Sequence, residues 1–143
     1  MMKLHTAFND LCSTFLAPIA NLGARIYIGY YVFFVSGWAK SKDFEETIEL
    51  FDPAEDGDYA LPFLPAEPAA YLATAGELIL PVLLILGLFT RFSAAGLLVM
   101  AIVIQVFVFQ LDVHYLWMAI LAMLIGYGGD KLSLDNLLLK IKK

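Results

Sequence analysis

Five polar residues stand inside stretches otherwise built of aliphatic and aromatic side chains: Arg25, Lys40, Glu77, Gln105 and His114. Glu77 is the sharpest case. It lies in the run 68–92, PAAYLATAGELILPVLLILGLFTRF, which is long and apolar enough to cross a bilayer. A carboxylate at that depth costs on the order of 3 kcal/mol on insertion scales, so it must face protein or water rather than lipid. Pro81 follows one helical turn later. Its nitrogen has no proton to give the Glu77 carbonyl, and its ring crowds that same oxygen. A carboxylate and a freed backbone carbonyl therefore coincide within the membrane, which is the chemistry of a hydrogen-bonding or charge-holding site.

The elements that must position these groups follow from apolar periodicity. Residues 1–19 read as an amphipathic interfacial helix, with Leu4, Phe8, Leu11, Cys12, Phe15, Leu16 and Ile19 on one side and an end near Pro18. Transmembrane helices are expected at 21–38, 68–90, 92–110 and 113–127, the last only about 15 residues or ~22 Å long. Arg25, Gly29, Phe33, Ser36, Gly37 and Lys40 share one face of the first, and the small residues there permit close helix approach. Ser93 is placed to cap the third. Residues 41–67 form one long loop with nine acids against one lysine, Lys42, and Asp43 to Phe51 has helical spacing within it. A solvated acidic loop and a surface for cations or a basic partner both fit that composition. At the end, 133–143 reads as a short amphipathic helix with Ser133 as N-cap and Asp135 in its first turn. The expected fold is all-α: an antiparallel bundle of four transmembrane helices with short interfacial helices at both termini.

Orientation follows from lysine and arginine. One side collects Lys3, Arg91, Lys131, Lys140, Lys142 and Lys143, and the other only Lys40 and Lys42. Both termini are thus expected in the cytoplasm, with 41–67 outside. The first apolar span is interrupted by Arg25 and lacks the pattern of a cleavable leader. Of the 143 residues, 61% are hydrophobic and 16% charged, well beyond a soluble domain. The net charge of −5 comes largely from the one loop, and no basic stripe suits nucleic acid. Cys12 is the single cysteine, which excludes an intrachain disulfide or dithiol relay. His5 and His114 fall on opposite membrane sides, so no metal centre is expected, and no phosphate loop, dinucleotide fingerprint or nucleophile triad occurs.

With this topology Glu77 sits roughly 13 Å below the external end of its helix and Gln105 within ~10 Å of the same surface. Lys40 and His114 lie near that rim. An external-facing cavity lined by Glu77, Gln105, Lys40 and His114, with Arg25 as its floor, satisfies these depths, and a Glu77–Arg25 pair would lower the cost of both charges. The same groups also suit a purely structural role as cross-links, and Arg25 can instead snorkel to the nearer interface. Tyr30, Tyr31, Trp38, Tyr71, Phe109, Tyr115 and Trp117 can sandwich a flat lipid-soluble ring or form interfacial belts.

Three stretches resemble the DoxX family of small bacterial inner-membrane proteins: ARIYIGYYVFFVSGWAK, AAYLATAGELILPVLLILGLFTRFSA and YGGDKLSLDNLL. Arg25, Gly29, Gly37 and Lys40 match the family's first-helix pattern; Glu77, Pro81, Gly87 and Arg91 match its second helix and turn. The resemblance covers about 20–137. It implies a four-helix membrane bundle and, from a quinone-reducing member, a quinone-linked redox role with a protein partner in a redox or stress-response complex. The chain has no recognisable redox centre of its own, so an accessory oxidoreductase subunit is the most it implies by way of an enzyme. In that reading Arg25 and Glu77 organise a pocket for a membrane quinone, and Gln105 or His114 bonds its oxygen. A non-catalytic membrane scaffold, or a small-solute permeation factor, is the alternative.

Overall fold

Hydrocarbon offers no partner to a backbone amide, so a membrane-crossing segment must pair its own polar groups. The computed structural model, which describes residues 2–108 and 110–141, does so with helices. Phe109, Lys142 and Lys143, given roles above, lie outside the described residues.

Helix α1 runs unbroken over 2–42 and passes through two wider π turns, Cys12–Leu16 and Tyr31–Gly37. The break expected near Pro18 is absent. A proline ring crowds the carbonyl four residues back, here Thr14, and that residue lies within the first π turn, where bonding shifts to five-residue spacing. The Ala17 amide accordingly donates to the Cys12 carbonyl, and the residues flanking the turn keep helical dihedrals. The amphipathic lead-in and the first span are therefore one helix. Its apolar part, Phe8–Lys42, has 35 residues. That is about 52 Å of helix against a hydrocarbon core of about 30 Å, so one end projects beyond it.

The acidic connection is folded. Asp43 caps α2, Phe44–Phe51, by accepting from the Glu46 amide at 3.1 Å. The inner face of α2 carries Phe44, Ile48 and Phe51 onto Ala69 and Ala70 at the start of α3, with Tyr59, Leu61 and Leu64 completing a small core. Its carboxylates at 43, 45, 46, 49, 55, 56 and 58 remain exposed.

Helix α3, Ala66–Leu86, continues through the buried Pro81 and stops at Gly87, whose φ of +68° a side chain would resist. The Leu88 amide then reaches back to Leu83 at 2.9 Å, closing a Schellman turn. Helix α4, Thr90–Val108, follows and ends in a third π turn, Ile104–Val108. Its start is not capped by Ser93, which is buried and has no hydrogen-bond partner for its hydroxyl among the described residues. Asp135 does that work from a distance of 45 residues: its carboxylate accepts from the Phe89 amide at 2.8 Å and from the Thr90 amide and hydroxyl at 3.0 and 2.9 Å. Helix α5, Asp112–Tyr127, returns along α4, and α6, Leu134–Ile141, is capped by Ser133 through the Asn136 amide at 3.2 Å.

The main core joins α1, α3, α4 and α5 through Ile28, Leu84, Ala94, Leu97, Leu121 and Leu124. Among the described residues three helices are long and apolar enough to cross a membrane, and α5 is a shorter apolar fourth. Large apolar side chains such as Ile79, Val99, Val106 and Leu116 cover the outside, as a lipid-facing surface requires.

Candidate functional site

Glu77 is buried on α3, and its partner comes from α1. Lys40 donates to both Glu77 oxygens, at 2.9 and 2.8 Å, and to the Ser36 hydroxyl at 2.7 Å. Ser36 in turn donates to Glu77 Oε2 at 2.8 Å. The side chains of Lys40 and Glu77 are 12% and 4% exposed. An ammonium has three protons to give, and all three are directed at these oxygens. Ser36 stands four residues before Lys40, so one helix face presents both, and the second π turn of α1 carries Ser36. Gly37 makes the approach achievable: a methyl there would lie 2.8 Å from the Glu77 carbonyl oxygen, the one that Pro81 leaves without a helical donor. Tyr59, from the acidic connection, lays its ring 5.5 Å from Lys40 Nζ. Burial, joined by the negative charges of Glu77 and Asp58, pushes its phenol above the usual range and keeps it protonated at neutral pH.

This cluster forms one wall of a cavity of about 150 Å³ between α1, α3, α4 and α5. Ile28, Val32, Leu97 and Ile104 give it apolar sides, and Tyr31, His114 and Trp117 an aromatic one. Two π turns border it, one with Tyr31 and Ser36, the other with Ile104; Gln105, in the latter turn, lies outside the lining. Gln105 is held by the chain reversal it spans. Its amide oxygen accepts from the Leu111 amide at 3.1 Å and meets His114 Nδ1 at 2.9 Å. A backbone N–H can only donate, so the Gln105 atom facing it is the oxygen, and the proton of His114 must then sit on Nδ1. Lys40 and Tyr59 also border two neighbouring cavities. One of about 270 Å³ opens beside Asp43 and Glu46; the other, about 250 Å³, is lined by Leu61, Phe63, Leu72 and Val103.

Arg25 is elsewhere, and the Glu77–Arg25 pair expected from sequence does not form. Arg25 is fully buried near the opposite end of α3. Its guanidinium donates to the carbonyls of Leu84 and Ile85 at 3.5 and 3.3 Å, to Leu132, and through Nε to Asn21 at 3.0 Å. The reason is electrostatic: the last turn of α3 presents carbonyls that lack their usual donor four residues on, at the negative end of a helix dipole, a ready site for a cation. Asn21, one turn earlier on α1, orients the guanidinium and ties α1 to Gly128 at 2.9 Å. Arg25 is thus neither floor to the cavity nor snorkelled to water. Of the five residues singled out by type, Lys40 and Glu77 meet directly, Gln105 and His114 meet directly with only His114 lining the cavity, and Arg25 stands apart.

Sequence reasoning gave no binding role to Asn21, Tyr59 or Asp135 and treated Ser36 only as a small residue. Asn21–Arg25 and Ser36–Lys40 are both four-residue pairs, a legible signal. Nothing local marks Tyr59 or Asp135, whose partners are remote in sequence. A family model described as DoxX matches residues 20–110, which include Arg25, Lys40, Glu77 and Gln105. No curated protein and no solved structure matches the chain. With that much of its length matched, the chain belongs to the DoxX family and is a membrane protein.

Proposed function

We propose that this DoxX-family chain is a four-span membrane subunit that supports a quinone-linked redox process by holding a quinone ring in the cavity between α1, α3, α4 and α5. The observation that carries this reading is the cavity's size and lining. A cavity of about 150 Å³ accepts a single six-membered ring, and this one sets aromatic and aliphatic walls against the Lys40–Glu77–Ser36 cluster. Tyr31, Trp117 and Leu97 exclude water from the ring, while the Lys40–Glu77 pair and His114 border its edge. A bound quinone supplies the electron carrier that these residues do not. In this reading the helices cross the bacterial inner membrane with both termini in the cytoplasm, and a protein partner or second copy at the α2 end exchanges electrons with the ligand.

Protein purified in mild detergent and extracted into organic solvent should release close to one quinone per chain by mass spectrometry. Recovery of phospholipid alone would overturn the proposal. One observation favours the alternative scaffold role: the Lys40–Glu77–Ser36 network closes on itself, with every ammonium proton already directed at an acceptor. A scaffold would lose stability but no ligand when that network is cut.

A further inference from the structure

Lys40, Tyr59 and Glu77 border a second space besides the ring-sized cavity, the cleft of about 250 Å³ between α3 and α4. The two spaces also share Met100 and Ile104, so a single layer of side chains divides them. Met100 is the most adaptable member of that layer, an unbranched thioether with three rotatable bonds. Its sulfur would lie 2.9 Å from a Cβ at Gly76, so it is the bare glycine that seats it against α3.

The cleft has a different character from the cavity. Ala69, Leu72 and Ala73 line it from α3 and Val99, Val103 and Val108 from α4. Among the described residues its only polar side chains are those of Lys40, Tyr59 and Glu77. Its rim carries Leu72, Val99 and Phe63, all exposed on the outer surface of the bundle, where the neighbour is lipid. Phe63 also meets Phe107 edge to face, 5.3 Å between ring centres, and so ties the acidic connection to α4. An apolar space of this kind stays dry and takes hydrocarbon. If ~150 Å³ holds the six carbons of a benzene ring, the cleft holds roughly ten.

Resting on the cavity reading above, we propose that the α3–α4 cleft binds the hydrocarbon tail of the same molecule whose ring fills the cavity, the two parts joining where Met100 gives way. The ligand class is then a flat ring on a single long chain, entering sideways from the bilayer, with any length beyond the cleft lying in lipid. The shared wall is what favours this occupant. A phospholipid chain fits the cleft alone, because its bulky head does not enter a cavity of about 150 Å³.

The test uses the full chain in detergent with methyl-benzoquinone and decyl-benzoquinone, which differ only in the tail. Val103→Phe narrows the cleft and leaves the cavity lining intact, since Val103 borders only the cleft. Decyl-benzoquinone should bind Val103→Phe at least about fivefold more weakly than wild type, the low end of an overpacking penalty, while methyl-benzoquinone binds both equally. Comparing one probe between two proteins cancels its partition into micelles. Placement is read separately in wild-type protein. Decyl-benzoquinone with a diazirine at mid-tail, photolysed and mapped by mass spectrometry, should label Leu72, Val99 or Val103, and the unlabelled compound should abolish that labelling. Labels spread over the lipid-facing Ile79, Val106 and Leu116 overturn the inference even if Val103→Phe does not fold. Cleft labelling by a diazirine phospholipid that decyl-benzoquinone fails to displace also overturns it, marking a site for bilayer lipid. Equal decyl-benzoquinone affinity in wild type and Val103→Phe overturns it while the cavity reading stands. Failure of the wild-type protein to bind either quinone overturns both.

Discussion

Neutralising Lys40 and Glu77 separately should cost far more than neutralising them together. At 2.8 Å and an effective dielectric of 20, two unit charges attract by about 6 kcal/mol. With side-chain exposures of only 12% and 4%, water screens little of this, and the desolvation of both ions offsets much of it. Removing one partner keeps the other's desolvation and loses the attraction, so Lys40→Met and Glu77→Gln should each destabilise the detergent-purified protein by about 3–5 kcal/mol. The double variant loses both charges and mainly the hydrogen bonds to Ser36, about 1–2 kcal/mol in all. Equilibrium unfolding in mixed micelles should therefore return an interaction energy of roughly 3 kcal/mol or more, at the upper end for contacting residues. A second cycle is the control. Arg25 bonds Leu84 and Ile85, at least seven residues or about 10 Å along α3 from Glu77, so Arg25→Gln and Glu77→Gln should add within ~0.5 kcal/mol. Additive losses for Lys40 and Glu77, or single losses below ~1 kcal/mol, would refute the buried pair. Coupling in the Arg25 cycle instead would restore the pairing expected from sequence.

Gly37→Ala should destabilise by about 1–3 kcal/mol, because its methyl meets the Glu77 backbone 2.8 Å away, whereas Gly23→Ala, with nothing within 4 Å, should be neutral or stabilising by up to ~1 kcal/mol; thermal unfolding of the two variants checks the contrast. Burial opposes ionisation of Asp135, but hydrogen bonds from Thr90 and Phe89 and the charge of Arg25 outweigh it and hold the carboxyl below its ordinary range. Its contribution is therefore complete above the unfolded value near pH 4 and is lost as pH falls through the lower folded value; Asp135→Asn should cost about 0.5–2 kcal/mol at neutral pH and flatten the acid limb of a stability–pH curve. A reporter inserted at Arg91 should read cytoplasmic and one near Gly57 external, from the lysine and arginine asymmetry; the reverse pattern would invert the proposed orientation.

The coincidence of Glu77 and Pro81 was legible because both effects act within one turn of one helix. The helical run at Phe44–Phe51 was legible for the same reason, though its cap at Asp43 was not named. What sequence could not assign was the partner. Opposite charges in neighbouring spans invited the pairing of Glu77 with Arg25, yet a guanidinium is served equally well by helix-end carbonyls, which carry no mark in the sequence. Continuity of α1 through Pro18 was missed because a π turn before a proline absorbs the clash that normally ends a helix. The nine acids of the connection correctly announced a wet face, and Phe44, Ile48 and Phe51 gave its helical spacing, but their docking against α3 is a remote contact that the spacing does not mark.

The two ends of the bundle keep different accounts of their polar groups, and this separates stability from binding. Around Gly87 the chain supplies both halves of most contacts: Arg25 with the carbonyls of α3, Asn21 with Gly128, Asp135 with Thr90, and Ser133 with Asp130. Gly87 itself has no room for a side chain, since a Cβ would strike Arg25 and Ser133. Such a set favours one packing, with the buried Ser93 hydroxyl its exception among the described residues. At the α2 end the ion pair is closed too, but it stands beside a cavity and two π turns. An occupant of that cavity binds the folded chain alone, so ligand should stabilise the protein, and by an amount that depends on the cavity lining but not on Asp135. Ligand-induced shifts in melting temperature, equal in wild type and Asp135→Asn and reduced in Ala101→Phe, which fills the cavity, would express that division; a shift abolished by Asp135→Asn would show that the two ends act as one unit.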